Sequence, residues 1–594
     1  MSKAIDHFKL KDFKPRESQV RVINAAEEAF SKKDILIVEA PVGSGKSGIA
    51  LALARWLGQS HILTPRKSLQ DQYYEDFPDE LAIMKGKSGY PCYPRLSPMD
   101  AAVRGKASNG NTVWFPTYQN MDANPEDYRA VTDLIRKRIP VANMSSVDCS
   151  EGPCSSSNSI KANCENDGDR PCPYHVALNV ANLTDHVVHN VHSFFYQTMF
   201  GARFEERDLI VIDEAHDLEG IIRDFLRTRI MLSYADVPEN LEPSSQAPVE
   251  EWVDWFLQSK GLSFKKLQDL YPDEAFGNQL HKYFSERDMW VREESASDGS
   301  SKVVSTPEKK FSESLAKLMI TYEDMDGDPP IVSIFRNTEK RRMEYTFTPS
   351  TLVGKAESLI LHMGKKVLLM SGTVYGKSTF CRNLGINPDS AEYIRIDSDF
   401  PIGNRPIILR SDLSTDNSFS SWNSDPEVQG KMVTNICRIM DAYKDKKGLI
   451  HAPSYSSARH IASLISSDRI VTHGPHDFLS VLRGFVEDTE SNKVLISPTC
   501  QQGVDFKGDI ARFQMILRVP YLSTEDEFIH YMMKNNFNWY NYHSLVVFGQ
   551  QIGRVVRGPS DWGHTYLLDS RFKKYLQRNR RSLPPWLTAA IQFK

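Results

Sequence analysis

A glycine-rich segment behind a short apolar run is the first feature that could do chemistry. Its glycines at positions 43 and 45 allow the tight turn in which backbone N–H groups point at phosphate oxygens. Lys46 would reach the β- and γ-phosphates of a nucleotide, and the Ser47 hydroxyl would bind Mg²⁺. The pattern predicts a phosphate-binding loop whose first position, usually Gly, is Ala here. Its residues are Ala40, Pro41, Val42, Gly43, Ser44, Gly45, Lys46 and Ser47.

Two acidic residues end another apolar run, in the segment LIVIDEAH at 209–216. Asp213, at the tip of a predicted strand, would hold the Mg²⁺ shell, and Glu214 would orient and deprotonate an attacking water. The alternative is a strand that ends in a solvated acidic turn. The phosphate-binding loop upstream in the same chain favours ATP hydrolysis over that alternative.

Arginine and glutamine side chains supply a third group of candidates. A spacing of three predicts that Arg554 and Arg557 share one helix face behind Gln550. Both guanidiniums would then reach the γ-phosphate from across a cleft. Arg16 and Gln19, ahead of the loop, would read the adenine edge. The alternatives are a basic pair on a helix surface and two solvated residues on a first helix.

The composition is that of an ordinary globular chain. Its 594 residues predict about three to five domains. Charged residues are 25% and hydrophobic ones 40%, which excludes a mainly disordered or fibrous protein. Lys and Arg number 72 against 76 Asp and Glu, a net charge of −4. A nucleic-acid partner would therefore need a local basic patch.

The cysteines are unevenly placed, because five of the eight lie between positions 92 and 172. The surrounding segment, 86–180, is rich in Gly, Pro, Ser and Asn and lacks long periodic runs, so cysteine ligation would have to supply its order. The N-terminus lacks the apolar core of a signal peptide, and no apolar run approaches 18 residues. We therefore expect a cytoplasmic protein without a membrane partner.

Apolar runs place these motifs in two α/β blocks. The first has a helix at 15–30 and strands at 34–40, 61–64, 208–213 and 366–370. The second has strands at 448–452, 493–499, 514–519 and 564–569. Between the two parts of the first block lies a polar, helix-leaning stretch at 235–350, whose Ser-rich centre, 293–310, is predicted to be a loop. The aromatic segment 537–543 is predicted to be part of a helical core rather than a base-stacking platform.

Together these motifs resemble those of superfamily 2 DNA helicases. The resemblance rests on DEAH at 213–216, QxxGRxxR at 550–557, SGT at 371–373 and GVDFKG at 503–508. It implies two RecA-like P-loop lobes that bind ATP and Mg²⁺ between them, with Asp505 added to the nucleotide site. It also implies a DNA path lined by Thr64, Arg66, Asn190 and His192.

The segments at 85–92 and 171–174 resemble the two ends of the iron–sulfur domain in XPD- and DinG-type helicases. This implies a 4Fe–4S cluster held by four thiolates. The set is Cys92, Cys154, Cys164 and Cys172, with Cys149 as the alternate. A structural zinc site remains open, because thiolate tetrads also bind Zn²⁺. The chain length favours a bacterial or phage DinG-like member.

The resemblance implies an α/β fold with an iron–sulfur insertion and a mostly helical, arch-like insertion in the first lobe. The expected divisions are lobe 1 at 1–85, 181–234 and 351–380, the cluster domain at 86–180, the arch-like insertion at 235–350 and lobe 2 at 381–594.

The expected activity is an ATP-dependent, monomeric DNA helicase that moves 5′→3′ on single-stranded DNA and unwinds duplex or forked DNA. Roles in DNA repair or replication, in a bacterial or phage-infected cell, would follow. Two alternatives stay open: an ATP-gated clamp or scaffold that does not unwind, and an ATPase that remodels RNA or R-loops through RNA–DNA hybrids.

Overall fold

The computed structural model describes residues 3–9, 14–90, 173–201, 203–238, 240–295, 301–323, 329–500 and 506–594. Some sequence predictions fall outside these described residues. They concern Cys92, Cys149, Cys154, Cys164, Cys172 and Asp505.

The strands of the described residues, in chain order, are β1 (Ile35–Glu39), β2 (Ser60–Thr64), β3 (Leu81–Met84), β4 (His186–Asn190), β5 (Arg207–Asp213), β6 (Thr228–Ser233), β7 (Val291–Ser295), β8 (Ser301–Ser305), β9 (Ile331–Asn337), β10 (Arg342–Thr348), β11 (Gly364–Ser371), β12 (Ala391–Arg395), β13 (Ile407–Leu409), β14 (Gly448–His451), β15 (Ile470–Thr472), β16 (Val494–Ser497), β17 (Phe513–Ile516), β18 (His564–Leu567) and β19 (Ile591–Phe593).

The α-helices of the same residues are α1 (Glu17–Lys32), α2 (Lys46–Leu57), α3 (Lys67–Asp76), α4 (Pro173–Leu183), α5 (Val191–Gly201), α6 (Leu218–Leu226), α7 (Val249–Gln258), α8 (Phe264–Leu270), α9 (Phe276–Ser285), α10 (Pro307–Glu323), α11 (Lys355–Leu359), α12 (Lys377–Asn383), α13 (Phe419–Ser424), α14 (Pro426–Ala442), α15 (Tyr455–Leu464), α16 (Phe478–Glu487), α17 (Glu527–Asn535), α18 (Phe537–Ile552), α19 (Phe572–Asn579) and α20 (Pro585–Thr588).

A seven-stranded parallel sheet, in the order β12-β1-β11-β5-β2-β4-β3, forms the first lobe. Its central strands are continuous apolar runs because helices cover both faces of a parallel sheet. The pairing aligns Glu39 with Ser371 and Met370 with Asp213. The carboxyl ends of β1, β11 and β5 therefore meet at one edge, which carries the phosphate-binding loop and the DEAH segment.

A second seven-stranded parallel sheet, in the order β15-β16-β14-β17-β18-β13-β19, forms the second lobe. The strands predicted in both blocks are confirmed within a few residues. The segment 537–543 is the start of α18. Its rings Trp539, Tyr540 and Tyr542 are buried, which confirms the helical-core interpretation for them, whereas Phe537, the first residue of the helix, is 45% exposed.

An inserted domain follows α6 and combines α7–α10 with a three-stranded antiparallel sheet in the order β6-β10-β9. Its core centres on Trp252, Phe256, Tyr345 and Phe347, all 0% exposed. The loop predicted at 293–310 is wrong, because β7 and β8 pair there and α10 begins at Pro307.

Two expected domain limits differ from the structure. The strand β6 was assigned to lobe 1 but pairs with β10 in the inserted domain. The strand β12 was assigned to lobe 2 but pairs with β1 at the edge of the first sheet. In β6 buried and exposed residues alternate, and in β12 four of the five residues are half-buried, so neither strand shows the apolar run that marks a central strand.

Candidate functional site

The phosphate-binding loop has the backbone that its glycines predict. Gly43 and Gly45 both adopt φ +76°, in the left-handed region that favours glycine. Gly45 caps α2, so Lys46 and Ser47 form the first residues of that helix. The loop therefore presents a helix N-terminus, with its unpaired N–H groups, to an incoming phosphate.

Arg16 and Gln19 support this loop from the start of α1. The Arg16 guanidinium donates from Nη2 to the Gly43 carbonyl at 2.8 Å. Gln19 is 5% exposed and donates from Nε2 to the Ser44 carbonyl at 3.2 Å. The structure thus places both predicted residues beside the loop, in contact with its backbone.

Lys46 forms an ion pair with Glu214 of the DEAH segment. Its Nζ is 3.1 Å from Glu214 Oε1. Burial alone would lower the pKa of Lys46, but Glu214 and Asp213 outweigh burial and raise that pKa above its ordinary value. Burial would raise the pKa of Glu214, yet Lys46 and His216 hold it well below its usual range. Glu214 is therefore a carboxylate at neutral pH.

The backbone at Glu214 is strained. Its φ of 52° and ψ of 45° are left-handed, which few residues other than glycine adopt. The Glu214 N–H donates to Asp213 Oδ1 at 2.9 Å, and Tyr73 donates its hydroxyl hydrogen to Asp213 Oδ2 at 3.1 Å. Burial and the neighbouring Glu214 raise the pKa of Asp213, against the effect of Lys46. The two bonds fix the Asp213 carboxylate, while Lys46 and His216 hold that of Glu214.

A chain of buried polar contacts runs from the DEAH segment to the second lobe. His216 Nδ1 lies 3.2 Å from Glu214 Oε2 and 2.9 Å from Ser371 Oγ. The Thr373 N–H donates to Ser371 Oγ at 3.1 Å. On α18, Gln550 then donates from Nε2 to Thr373 Oγ1 at 3.2 Å. Asp217 and Glu214 raise the pKa of His216, although burial opposes them.

The two arginines of the second lobe follow the helix rather than lying on it. The helix α18 ends at Ile552, so the prediction that Arg554 and Arg557 share a helix face is wrong. Gly553 ends the helix. Beyond it, the Arg554 carbonyl accepts a hydrogen bond from the Phe506 N–H at 3.2 Å. The Arg554 guanidinium donates to Gln550 Oε1 at 2.8 Å.

Arg557 nevertheless reaches the phosphate-binding loop. A Cβ on Gly43 would lie 2.8 Å from the Arg557 carbonyl and 2.5 Å from the Phe400 ring. The positive charge of Arg557 also opposes the raised pKa of Lys46. The structure therefore brings the second lobe directly against the loop.

The four residues expected to line the DNA path lie at the carboxyl ends of β2 and β4 or just after them. Thr64 and Asn190 are register partners at the carboxyl ends of β2 and β4. Arg66 pairs with Asp217, Nη2 to Oδ2 3.4 Å. His192, on α5, is exposed. Thr64 itself is buried, so its side chain supports the edge rather than facing solvent.

Sequence reasoning missed several residues that hold this site. Glu39 is 0% exposed at the end of β1, and it accepts from the Tyr375 N–H at 2.9 Å, from the Tyr393 hydroxyl and from Arg395 Nε. Tyr73 on α3 was missed as well. Nothing in the local sequence marks these residues, because their partners come from distant parts of the chain.

The candidate ligands for Mg²⁺ are the Ser47 hydroxyl and the Asp213 carboxylate. Ser47 and Asp213 supply oxygen atoms, which Mg²⁺ prefers, and the Lys46–Glu214 contact brings the start of α2 to the end of β5. Among the described residues, no group of three or more His, Cys, Asp or Glu side chains is arranged to hold a metal ion. The same part of the chain contains no helix long and apolar enough to cross a membrane.

Comparison with known families matches two parts of this chain. Residues 436–590 match the family described as "Helicase C-terminal domain". Residues 12–138 match the family described as "Type III restriction enzyme, res subunit".

Two bacterial proteins, both named ATP-dependent DNA helicase YoaA, are similar over nearly the whole chain. The one from Haemophilus influenzae is 22% identical over 631 residues, covering 97% of this chain and 94% of the relative. The one from Escherichia coli is 22% identical over 627 residues, covering 96% and 94%. A solved structure called XPD_Helicase has a TM-score of 0.54 at 16% identity, and the match covers 98% of this chain and all of that one. The last similarity shows a shared fold of two RecA-like lobes.

Proposed function

We infer that this chain, an XPD/DinG-type superfamily 2 helicase, is an ATP-dependent DNA helicase. The observation that carries this inference is the buried polar chain from Glu214 through His216, Ser371 and Thr373 to Gln550. It connects the residue best placed to activate water in one lobe with a helix of the other. An ATPase that only needed to hydrolyse nucleotide would not require this connection between lobes.

We assign ATP hydrolysis to the residues around the loop. Lys46 would move from Glu214 to the β- and γ-phosphates, since a phosphate is a stronger partner than one carboxylate. Glu214, thereby released, is ionised and able to accept a proton from the attacking water. Ser47 and Asp213 would hold Mg²⁺, which when bound would neutralise charge on the phosphates.

Arg554 and Arg557 would complete the site from the second lobe. The Arg557 backbone carbonyl lies against the loop, and the Arg554 guanidinium is held by Gln550. Guanidiniums that reached the γ-phosphate from here would stabilise its negative charge in the transition state. Loss of that phosphate would remove a contact shared by both lobes, and the lobes would separate.

We propose that separation and closure move single-stranded DNA. In the first lobe, Arg66 pairs with Asp217, directly after the DEAH segment, and Thr64 pairs with Asn190 at the same edge of the sheet. We further propose a monomeric motor that moves 5′→3′, acts on forked DNA and works in the bacterial cytoplasm. The bacterial YoaA relatives support the location, and the family resemblance alone supports the direction.

The steady-state ATPase rate with and without a single-stranded oligonucleotide tests this function. We expect single-stranded DNA to stimulate hydrolysis strongly and RNA of the same sequence to do so less. Equal stimulation by RNA would favour an RNA or R-loop remodelling enzyme. No stimulation by either nucleic acid would contradict the proposal.

We also propose a 4Fe–4S cluster in the cysteine-rich segment. Its support is the sequence alone: Cys92, Cys154, Cys164 and Cys172, with Cys149 as the alternate, between flanking segments of the family type. A cluster there would order a segment that has little apolar core. Iron and acid-labile sulfide should be present in anaerobically purified protein. Stoichiometric zinc without sulfide would contradict the proposal and establish a zinc site.

A further inference from the structure

The segment that follows β18 is the most basic stretch of the second lobe. Six basic residues and no acidic ones lie between Ser570 and Leu583 in a chain whose net charge is −4. The six residues are Arg571, Lys573, Lys574, Arg578, Arg580 and Arg581. Such a local excess is what a phosphate-binding surface requires, whatever the total charge.

The helix α19 and the turn after it present this charge on one side. Phe572, Tyr575 and Leu576 are at most 3% exposed and anchor the helix to the lobe. At 100° per residue, Lys573, Lys574 and Arg578 fall on the outward half of the helix, and Arg580 and Arg581 follow its last residue, Asn579. Those five side chains, Lys573, Lys574, Arg578, Arg580 and Arg581, are all exposed.

These five cations are not neutralised by the surrounding protein. Within the part of the chain that the structure describes, none of them forms an ion pair. Arg571, by contrast, pairs with Asp569, Nη2 to Oδ2 2.7 Å. Arg512, in the same lobe, pairs with both Asp509 and Asp561. The α19 face is therefore a source of uncompensated positive potential.

Two partly exposed aromatic rings lie beside α19, Phe537 next to the basic side chain of Arg578 and Tyr521 against Tyr575 on the anchored side. The Arg578 guanidinium lies 5.7 Å from the centroid of the Phe537 ring, which is 45% exposed. Tyr521 is 37% exposed and packs edge-to-face on Tyr575 of α19, with centroids 5.7 Å apart. Basic side chains beside aromatic faces are the combination that binds single strands, because unpaired bases can stack there.

We propose that the exposed face of α19 binds the phosphodiester backbone of single-stranded DNA on the second lobe. The proposal rests on the proposed function and adds a contact surface to it. Lobe movement can shift DNA only if each lobe has its own DNA-binding surface. The adjacent aromatic rings favour a single strand over a duplex as the occupant.

The test is the affinity of the full chain for a fluorescent thymidine 30-mer as a function of salt. The variant is K573Q/K574Q/R578Q, whose melting temperature should equal that of the wild type because the side chains are exposed. Each lost phosphate contact lowers the slope of log K against log salt by about 0.7, so three should lower it by about 2. We expect roughly tenfold weaker binding at low salt.

Two control variants bracket this result. The triple variant K431Q/K444Q/K446Q removes the same charge from exposed positions of the same lobe, on α14 and in the turn before β14. It should bind DNA and hydrolyse ATP like the wild type. The charge-conserving variant K573R/K574R/R578K should also bind like the wild type, because a phosphate contact depends on charge.

An unchanged salt slope in K573Q/K574Q/R578Q would overturn the inference. A loss of affinity seen only with a 30-base-pair duplex would also overturn it, since the surface would then bind duplex DNA. If the wild type itself bound no DNA and showed no DNA-stimulated hydrolysis, the proposed function would fail. If single-stranded DNA stimulated ATP hydrolysis by the wild type while K573Q/K574Q/R578Q bound DNA like the wild type, the α19 assignment alone would be overturned.

Discussion

Gln550 donates a hydrogen bond to Thr373 at 3.2 Å, and this bond joins the two lobes beside the nucleotide site. Gln550 is 6% exposed and Thr373 is 4% exposed, so water does not compete for the bond. Gln550 also accepts from Arg554, while Thr373 bonds to Ser371. One glutamine therefore connects the arginine of lobe 2 with the DEAH segment of lobe 1.

Breaking this bond should lower turnover more than ATP binding. We expect T373V and Q550L each to reduce kcat, because Arg554 and His216 lose a common support. A double-mutant cycle on kcat should give a coupling of about 1 kcal/mol, the worth of a typical buried hydrogen bond, or about fivefold. Strictly additive effects would show that the two residues act independently.

Removing the carboxylate of Glu214 should separate binding from hydrolysis. E214Q keeps the size of the side chain but cannot accept a proton at neutral pH. We expect ATP binding to persist, while the DNA-stimulated kcat falls by about 10²–10⁴-fold. Binding of a fluorescent ATP analogue and steady-state turnover measure the two effects. Turnover within a few-fold of the wild type would assign the base to another residue.

A single methyl group at Gly549 should hold the lobes apart. A Cβ there would lie 2.8 Å from Thr373 Cγ2 and would press on the Tyr375 hydroxyl. We expect G549A to reduce DNA-stimulated ATP hydrolysis by at least tenfold, although Ala favours an isolated helix by about 1 kcal/mol. The steady-state rate measures this.

Gly484 provides the matched control, because it lies within α16 and a Cβ there meets nothing within 4 Å. G484A should leave the rate unchanged and raise the melting temperature slightly. Equal rates for G549A and G484A would contradict tight lobe contact at Gly549.

Glu219, on α6, forms a second buried connection to α18. It accepts from His543 Nε2 at 2.8 Å, from Arg223 Nη2 at 2.8 Å and from Trp539 Nε1. Burial would raise the pKa of Glu219, but His543 and the other donors outweigh burial and lower that pKa to about 2. A carboxylate with a lowered pKa stabilises the fold above its unfolded pKa and loses that effect as the pH falls towards 2.

E219Q should therefore destabilise the folded chain at neutral pH by about 3 kcal/mol. The difference in stability between E219Q and the wild type should stay constant above about pH 5 and shrink as the pH falls below about 4. Melting temperatures at half-unit steps of pH measure it. E490Q, at an exposed position in the second lobe, should match the wild type throughout. A difference between E219Q and the wild type that does not vary with pH would contradict the buried ionised carboxylate.

The sequence predicted the parts of the site that a local pattern can encode. The apolar runs of β1, β5 and β11 are central strands, and the loop at 40–47 lies between a strand and a helix. Edge strands such as β12 were missed because half-exposed strands carry little apolar signal. The end of α18 was missed because Gly553 alone does not show where a helix stops.

Long-range contacts account for the remaining differences. Glu39 is bonded to Arg395, and Glu219 is bonded to His543, which lies 324 residues further along the chain. Such pairs exist only once both lobes are packed. Spacing along the chain could therefore indicate Lys46 and Glu214 but not the side chains that orient them.

Unwinding of a forked duplex under single-turnover conditions tests the central claim most directly. The wild type with ATP and Mg²⁺ should release the labelled strand. K46A should release none above background, because the phosphates lose their main compensating cation, and it should still bind the fork. Strand release by K46A comparable to that of the wild type would contradict the account, as would a wild type that hydrolyses ATP on the fork without separating its strands.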